Sequence, residues 1–133
     1  MEEEVFYDDD RRLDMVVSKK ISFSAAHFLP DYPGKCSQMH GHTWVVELGV
    51  RGAIGKDGMV VDFGKLKEFL EKEVEDKFDH KLLNDVIPNP TAENICNYVY
   101  ERWYTWWRSN MDLPELDHIQ VWESEDSYAL LSC

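Results

Sequence analysis

Hydrophobic and polar residues alternate along two segments in the first half of the chain, in the pattern of strands with one buried face. Residues 15–23 alternate loosely and are rich in residues that favour strands. Residues 43–51 alternate sharply: one side carries Val46, Leu48 and Val50, and the other carries Val45, Glu47, Gly49 and Arg51. We also predict a short strand at 59–61, after a turn with three glycines, and two final strands at about 118–123 and 128–132.

Between the early and the late strands, the apolar positions change to a helical spacing. A first amphipathic helix is predicted over 63–78, with Asp62 as its N-cap and one apolar stripe: Phe63, Leu66, Phe69, Leu70, Val74 and Phe78. A second helix is predicted over about 91–109, capped by Thr91, with the stripe Ala92, Ile95, Cys96, Val99, Trp103 and Trp106.

This order of elements predicts an α+β domain. Strands at both ends of the chain, joined early by short loops, favour an antiparallel sheet, and the two central helices would cover one of its faces. We expect a single domain over 15–133, preceded by a flexible acidic arm at 1–14. The outer sheet face and the sheet edges of so small a unit need covering, so we expect self-association.

Composition narrows the classes of function. The 133 residues include 26 acidic and 14 basic side chains, which give a formal charge of −12. A free-standing nucleic-acid binder would need a basic surface, and a membrane protein would need a long apolar run, so the sequence favours neither. Three cysteines, an odd number, together with no export signal, predict reduced thiols in a cytoplasmic protein.

Three histidines form a candidate metal site. His40 and His42 are two residues apart, so on an extended backbone both imidazoles project to the same face. If the first two strands pair, His27 at the end of the first strand lies beside His42. Three imidazoles on a rigid sheet suit Zn²⁺ and leave its fourth position open; the alternative is three ordinary surface or hydrogen-bonding histidines.

Cys36, four residues before His40, has three possible roles. It is a fourth zinc ligand that closes a structural site, a catalytic thiolate beside an open site, or an inert loop thiol. The preceding loop, Asp31-Tyr-Pro-Gly-Lys, favours an exposed thiol and therefore disfavours the third role. The residue pattern alone leaves the other two open.

Several further polar residues occupy positions that a structural role or a chemical role would explain. Asp79-His80 follows the first helix and serves either as a helix cap or as a proton relay in which the aspartate orients the imidazole. Glu93 lies in the first turn of the second helix, where it stabilises the helix dipole. Glu123, on an apolar strand, is either at the wet end of the strand or binds the N–C–N edge of a guanine- or pterin-like ring.

Six short motifs follow one another between about residues 15 and 132: Phe23-Ser-Ala-Ala-His27, Cys36-x-x-x-His40-Gly-His42, Asp62-Phe63, Phe78-Asp-His80-x-x-Leu-Asn84, Pro90-Thr-Ala-Glu-Asn94 and Val121-Trp-Glu123. Jointly they resemble the 6-pyruvoyltetrahydropterin synthase / 6-carboxytetrahydropterin synthase family. The resemblance implies a T-fold (tunnelling fold) subunit that assembles as a homohexamer of two trimers, each trimer a barrel, with active sites between subunits.

The resemblance also implies roles for individual residues. His27, His40 and His42 would bind Zn²⁺. Cys36 would be the catalytic thiol, with Asp79 and His80 as its partners in proton transfer. Glu123 would anchor the pterin substrate, with help from Glu93 and Thr91.

The three-residue gap between Cys36 and His40 resembles the bacterial and archaeal 6-carboxytetrahydropterin synthases, whereas the pyruvoyl-forming enzymes have a longer gap. The implied reaction converts 7,8-dihydroneopterin triphosphate to 6-carboxy-5,6,7,8-tetrahydropterin, acetaldehyde and triphosphate, on the way to 7-deazaguanines such as queuosine. One alternative is 6-pyruvoyltetrahydropterin synthase of tetrahydrobiopterin synthesis. The other is a non-catalytic zinc- or pterin-binding module, against which Asp79-His80 and Glu123 argue, because a structural zinc site needs neither.

Overall fold

A computed structural model describes residues 13–110 and 113–133. Five strands form one sheet in the order β3-β1-β2-β4-β5. Their bounds are Asp14–His27 (β1), His40–Ala53 (β2), Lys81–Leu82 (β3), Glu115–Ser124 (β4) and Ser127–Ser132 (β5). All neighbouring pairs are antiparallel except β3, which runs parallel to β1 at one edge. The predicted α+β architecture is confirmed, whereas the expected arm lies, up to residue 12, outside the described residues.

The first two strands are longer than the alternation predicted, and their extra residues form the end of the sheet that matters for function. β1 and β2 pair along their full length, from Asp14 opposite Ala53 to His27 opposite His40. Small residues and histidines at these ends carry little strand propensity of their own. The cross-strand hydrogen bonds of the longer ladder therefore extend the strands beyond what the local sequence indicates.

One face of the sheet carries the core. Trp44, Val46, Leu48 and Val50 of β2 are fully buried, and the partners of Trp44 and Val46 across the sheet, Phe23 and Val121, are buried as well. The helices pack against this same face, the first against β1 and the second against β4 and β5. The predicted alternation in β2 is confirmed.

The first helix is continuous but irregular. It runs as α1 (Phe63–Leu70), a π-helical stretch (Glu71–Glu75) and a last turn α2 (Asp76–Phe78). The apolar residues after Leu66 recur in steps of four, and each such step drifts by about 40° around a regular α-helix. The wider π turn takes up this drift, so the last apolar residues of the stripe remain fully buried. The first residue of the predicted stripe, Phe63, is half exposed instead.

Both helices begin at the predicted caps. The Asp62 carboxylate accepts a hydrogen bond from the Gly64 N–H at 2.8 Å, and the Thr91 hydroxyl accepts one from the Asn94 N–H at 3.0 Å. The second helix, α3, spans Ala92–Ser109 and buries the predicted stripe as far as Trp103. No helix in the described ranges is long and apolar enough to span a membrane.

The strand predicted at 59–61 is wrong. The Gly55 N–H donates to the Met59 carbonyl at 2.9 Å, and the Asp57 carboxylate accepts from the Met59 N–H at 3.0 Å. Gly58, with φ of +84°, completes this turn in a backbone conformation that glycine adopts without strain. Because the polar backbone groups of this segment bond locally, the segment joins no strand; the short additional strand is β3.

An ion cluster lies on the sheet face opposite the helices. The two nitrogens of the His118 ring lie 2.7 Å from the Glu47 and Asp117 carboxylates, and Arg51 pairs with Asp117. A β-carbon at Gly49 would lie 2.5 Å from His118 Nδ1, so only glycine leaves room for this ring. Burial opposes protonation of His118, but the two carboxylates outweigh it and raise the pKa of the imidazole.

Candidate functional site

The three predicted histidines meet at the end of the helix-covered sheet face. His27 ends β1, His40 begins β2 opposite it, and His42 follows two residues later on the same face. His27 Nε2 lies 3.1 Å from His40 Nε2. One ligand atom from each histidine and one from Glu123 all lie within 4.8 Å of one another. The structure therefore assembles a candidate metal centre of three imidazoles and one carboxylate.

Backbone carbonyls orient two of the rings. His27 Nδ1 lies 2.8 Å from the Pro90 carbonyl, and His40 Nδ1 lies 2.7 Å from the Gln38 carbonyl. A carbonyl oxygen only accepts hydrogen bonds, so each Nδ1 carries the hydrogen and donates it. Each Nε2 then presents its lone pair toward the centre of the cluster, as a metal ligand must.

The third ring supplies the clearest sign that a cation belongs here. His42 Nε2 is buried and has no hydrogen-bond partner among the described residues. It lies 3.1 Å from Glu123 Oε2, but the two groups are not aligned for a hydrogen bond. Burial lowers the pKa of His42, with smaller opposing and reinforcing effects from Glu123 and the other two histidines, so the neutral imidazole that a metal requires is favoured. Three imidazole nitrogens and a carboxylate oxygen fit the donor set of Zn²⁺.

Glu123 has a position that the sequence did not predict. Its residue type suggested recognition of a ring edge, whereas in the fold its Oε2 also lies 3.8 Å from His27 Nε2. A register shift in the β4–β5 ladder between Trp122 and Ser124 falls at this residue, so periodicity could not fix its orientation. About a third of the Glu123 side chain remains exposed to solvent.

Asp79 and His80 are held at the same end of the sheet by β1. The Ser24 N–H donates to the Asp79 carboxylate at 3.0 Å, and the His80 N–H donates to the Ser24 carbonyl at 2.6 Å. The other Asp79 oxygen lies 3.0 Å from His80 Nδ1. The Ser24 N–H, and then the hydrogen bond from His80, lower the pKa of Asp79 and keep it ionised.

The His80 backbone adopts a left-handed conformation, with φ of 59°, that is uncommon for residues other than glycine. Its ring is 82% exposed. His80 and His42 both line an open cleft of about 580 Å³, whose other lining residues come from the paired ends of β1, β2 and β3. His80 of the predicted relay pair therefore borders the same cleft as His42 of the candidate metal centre.

Cys36, Thr91 and Glu93 are less directly connected to this group. Cys36 is half buried in a 3-10 turn, and its carbonyl accepts from the Leu29 N–H at 2.7 Å, which closes the loop after β1. Cys36 Sγ does not belong to the metal-ligand group found among the described residues. Thr91 caps α3, and Glu93 is exposed in its first turn. The structure describes no hydrogen bond from these three side chains to Asp79, His80 or the histidine cluster within its two described ranges.

Comparison with known proteins gives a consistent picture. The family model "6-pyruvoyl tetrahydropterin synthase" matches residues 16–132. The Archaeoglobus fulgidus protein "Putative 6-carboxy-5,6,7,8-tetrahydropterin synthase" is 38% identical over 120 residues, which are 87% of this chain and 94% of that protein. Dihydroneopterin monophosphate aldolase of Pyrococcus furiosus is 36% identical over 110 residues, 80% of this chain and 88% of that protein. The structure of Caenorhabditis elegans 6-pyruvoyl tetrahydropterin synthase superimposes with a TM-score of 0.79 at 27% identity and covers 92% of this chain and 97% of that one.

Proposed function

Because the chain belongs to the 6-pyruvoyl tetrahydropterin synthase family, we propose that it is a zinc-dependent lyase that makes 6-carboxy-5,6,7,8-tetrahydropterin. The substrate is 7,8-dihydroneopterin triphosphate, and the other products are acetaldehyde and triphosphate. The reaction is a step toward 7-deazaguanines such as queuosine. The observation that carries the proposal is the three-histidine centre, with its unsatisfied His42 Nε2, beside the Asp79–His80 pair.

In this proposal His27, His40 and His42 hold Zn²⁺. When bound, Zn²⁺ would supply Lewis acidity that polarises the oxygens of the substrate side chain, and protons on the adjacent carbons would then be easier to remove. Two of the rings are fixed by backbone carbonyls, so little reorganisation is needed when the substrate arrives. In this proposal the three imidazoles alone hold the ion. Glu123, about a third of whose side chain is exposed, holds the amino-pyrimidine edge of the pterin instead of serving as a fourth ligand, aided by Thr91 and Glu93 at the start of α3.

Proton transfer falls to Cys36, Asp79 and His80. Asp79, ionised and bound to the Ser24 N–H, keeps the Nδ1 hydrogen of His80 directed at itself. His80 Nε2 is then free to accept and return a proton in the cleft. The Cys36 thiol, carried by the loop between β1 and β2, is the second proton-transfer group, and the three-residue gap to His40 supports the carboxy product.

The Pyrococcus furiosus relative favours a second candidate, an aldolase acting on the monophosphate, because its identity to this chain is nearly as high. The two activities differ in the phosphate chain of the substrate and in the products. One basic side chain, Lys81, lines the cleft next to His80, although its ammonium group also donates to the Asp76 carbonyl at 2.8 Å. A phosphate subsite at this side of the cleft is therefore compatible with either substrate.

Incubation of the zinc-loaded protein with each substrate in turn, followed by mass identification of the pterin, tests the proposal. We expect 6-carboxytetrahydropterin and acetaldehyde from the triphosphate. A 6-pyruvoyl product would assign the chain to tetrahydrobiopterin synthesis, and conversion of the monophosphate alone would assign it to the aldolases. Tight pterin binding with no turnover of either substrate would indicate a non-catalytic binding module.

A further inference from the structure

Asn84 makes an unusual set of contacts beside the metal centre. Its Oδ1 accepts a hydrogen bond from the Phe28 N–H at 3.0 Å, and its Nδ2 donates to the Phe28 carbonyl at 2.9 Å. The same Nδ2 donates a longer bond, 3.4 Å, to the Pro88 carbonyl. Phe28 is the residue directly after His27, and Pro88 is two residues before Pro90, whose carbonyl accepts from the His27 ring. One amide group thus ties together the backbone that carries His27 and the loop that orients its ring.

We propose that Asn84 is a positioning residue for the metal ligand His27, acting through the backbone of Phe28 and the carbonyl of Pro90. The inference rests on the proposed function in one respect, namely that a metal occupies the three-histidine centre. Within the described ranges Asn84 makes no hydrogen bond to the side chains of the proposed metal ligands, so it would act on them through the backbone.

The loop from Asn84 to Pro90 is also anchored at points other than Asn84. Leu83 and Ile87 are buried in the core, and the Asn94 side chain holds the Asn89 carbonyl at 2.8 Å. These anchors hold the loop on the protein. Apart from the His27 ring itself, which bonds to Pro90, Asn84 is the side chain that the described residues show joining the loop to the end of β1. Without that link, the Pro90 carbonyl and the His27 ring can shift relative to one another while the loop remains folded.

The consequence for metal binding follows from the burial of His27. Its side chain is 2% exposed, so a lost bond to Pro90 is not replaced by water. The ring then turns or adopts the tautomer with the hydrogen on Nε2, which faces His40 and excludes the metal. Loss of partners that orient a ligating histidine typically lowers metal affinity about 10- to 100-fold.

A residue that merely stabilises the fold would lower the melting temperature and leave the affinity of the folded protein unchanged. Three variants separate the two roles. Asn84→Ala removes all three bonds, whereas Asn84→Asp keeps the acceptor for Phe28 N–H but loses both donated bonds. Asn110→Ala is the matched control, because it removes one amide hydrogen bond, 3.0 Å to the Trp106 carbonyl, at the opposite end of α3.

The metal-free proteins are titrated with Co²⁺, which reports both affinity and ligand geometry through its visible absorption, and with Zn²⁺ in competition with a chromophoric chelator. We expect both Asn84 variants to bind about 10- to 100-fold more weakly with a changed cobalt spectrum, and Asn110→Ala to bind within about two-fold of wild type. Asn84→Asp decides the matter if Asn84→Ala does not fold. Wild-type affinity and spectrum in a folded Asn84 variant would overturn the inference alone, whereas a wild-type protein that binds neither metal would overturn the proposed metal centre as well.

Discussion

Substitution of Cys36 separates a catalytic thiol from a structural zinc ligand, and the structure sets the size of the expected effects. Cys36 Sγ is not among the atoms of the metal-ligand group, so Cys36→Ala should leave zinc affinity unchanged. The change removes one half-buried sulfur atom at a loop position, which costs about 0.5–1 kcal/mol of folding free energy. For a domain of this size that is a decrease in Tm of less than about 5 °C.

Turnover should respond very differently. Removal of a group that transfers a proton in the transition state typically lowers kcat about 10²- to 10⁴-fold, which corresponds to about 3–5 kcal/mol of barrier. A fourth ligand of a closed site would behave in the opposite way, since structural zinc contributes about 10–16 kcal/mol of binding free energy to folding. Loss of zinc and of stability would then accompany the loss of activity.

The assay measures zinc content, Tm, pterin affinity and turnover on Cys36→Ala, with Cys133→Ala as the control for removal of an exposed thiol. Cys36→Ser tests whether a hydroxyl, a much weaker acid, substitutes for the thiol. A zinc-free, unstable Cys36→Ala protein would refute the reasoning. It would favour the alternative of a non-catalytic module in which Cys36 is a structural zinc ligand. Full turnover in Cys36→Ala would equally refute the reasoning, because the proton would then move by another route.

Three further predictions follow from other parts of the molecule. His40→Ala should lose bound zinc and turnover together, measured by elemental analysis and product formation, and full zinc retention would contradict the assigned ligand set. Because the folded-state pKa of His118 is raised above 6.5, its contribution to stability is complete below pH 6.5 and is lost as pH rises through the folded value. Wild type should therefore lose more stability than His118→Gln between pH 6 and 9 in thermal melts; parallel profiles would exclude this linkage. We expect a homohexamer, since the open sheet edges and exposed Tyr128 and Leu130 of the outer face need covering; a stable, active monomer in sedimentation at micromolar concentration would contradict it.

Much of the fold could be predicted from the sequence because its signals are local. The helical stripes, the caps at Asp62 and Thr91 and the alternation in β2 each depend on residues a few positions apart. The structure confirms them, except that Phe63 and Trp106 at the ends of the stripes are not buried. The strand prediction for 59–61 was wrong because it rested on strand propensity alone. The backbone groups of Met59 instead form hydrogen bonds with nearby residues of the turn, Gly55 and Asp57. The π turn depends on the spacing of apolar residues along the whole first helix, so no short segment indicates it.

The candidate site was likewise predictable from the sequence only in part. The same-face spacing of His40 and His42, and the position of His27 at a strand end, predicted a cluster that the structure assembles. The carbonyls of Pro90 and Gln38, which orient two of the rings, carry no signal of residue type, since every residue has a carbonyl. The approach of Glu123 to His42 depends on a ladder irregularity that no single strand encodes.

The pairing of His27 with His40 has a consequence for how such a protein can change over time. The three imidazoles of the candidate metal centre are fixed by the register of two long strands, and the connection between those strands, residues 28–39, contributes none of them. Residues can be inserted into or deleted from the middle of this connection, between Phe28 and Gln38, without moving the three imidazoles. A one-residue slip within either strand would instead turn its histidines to the wrong face. Cys36 lies in this connection, where such changes are tolerated. The histidine cluster and the loop that carries Cys36 are thus independently variable, so the loop can change in length and sequence while the cluster keeps its geometry.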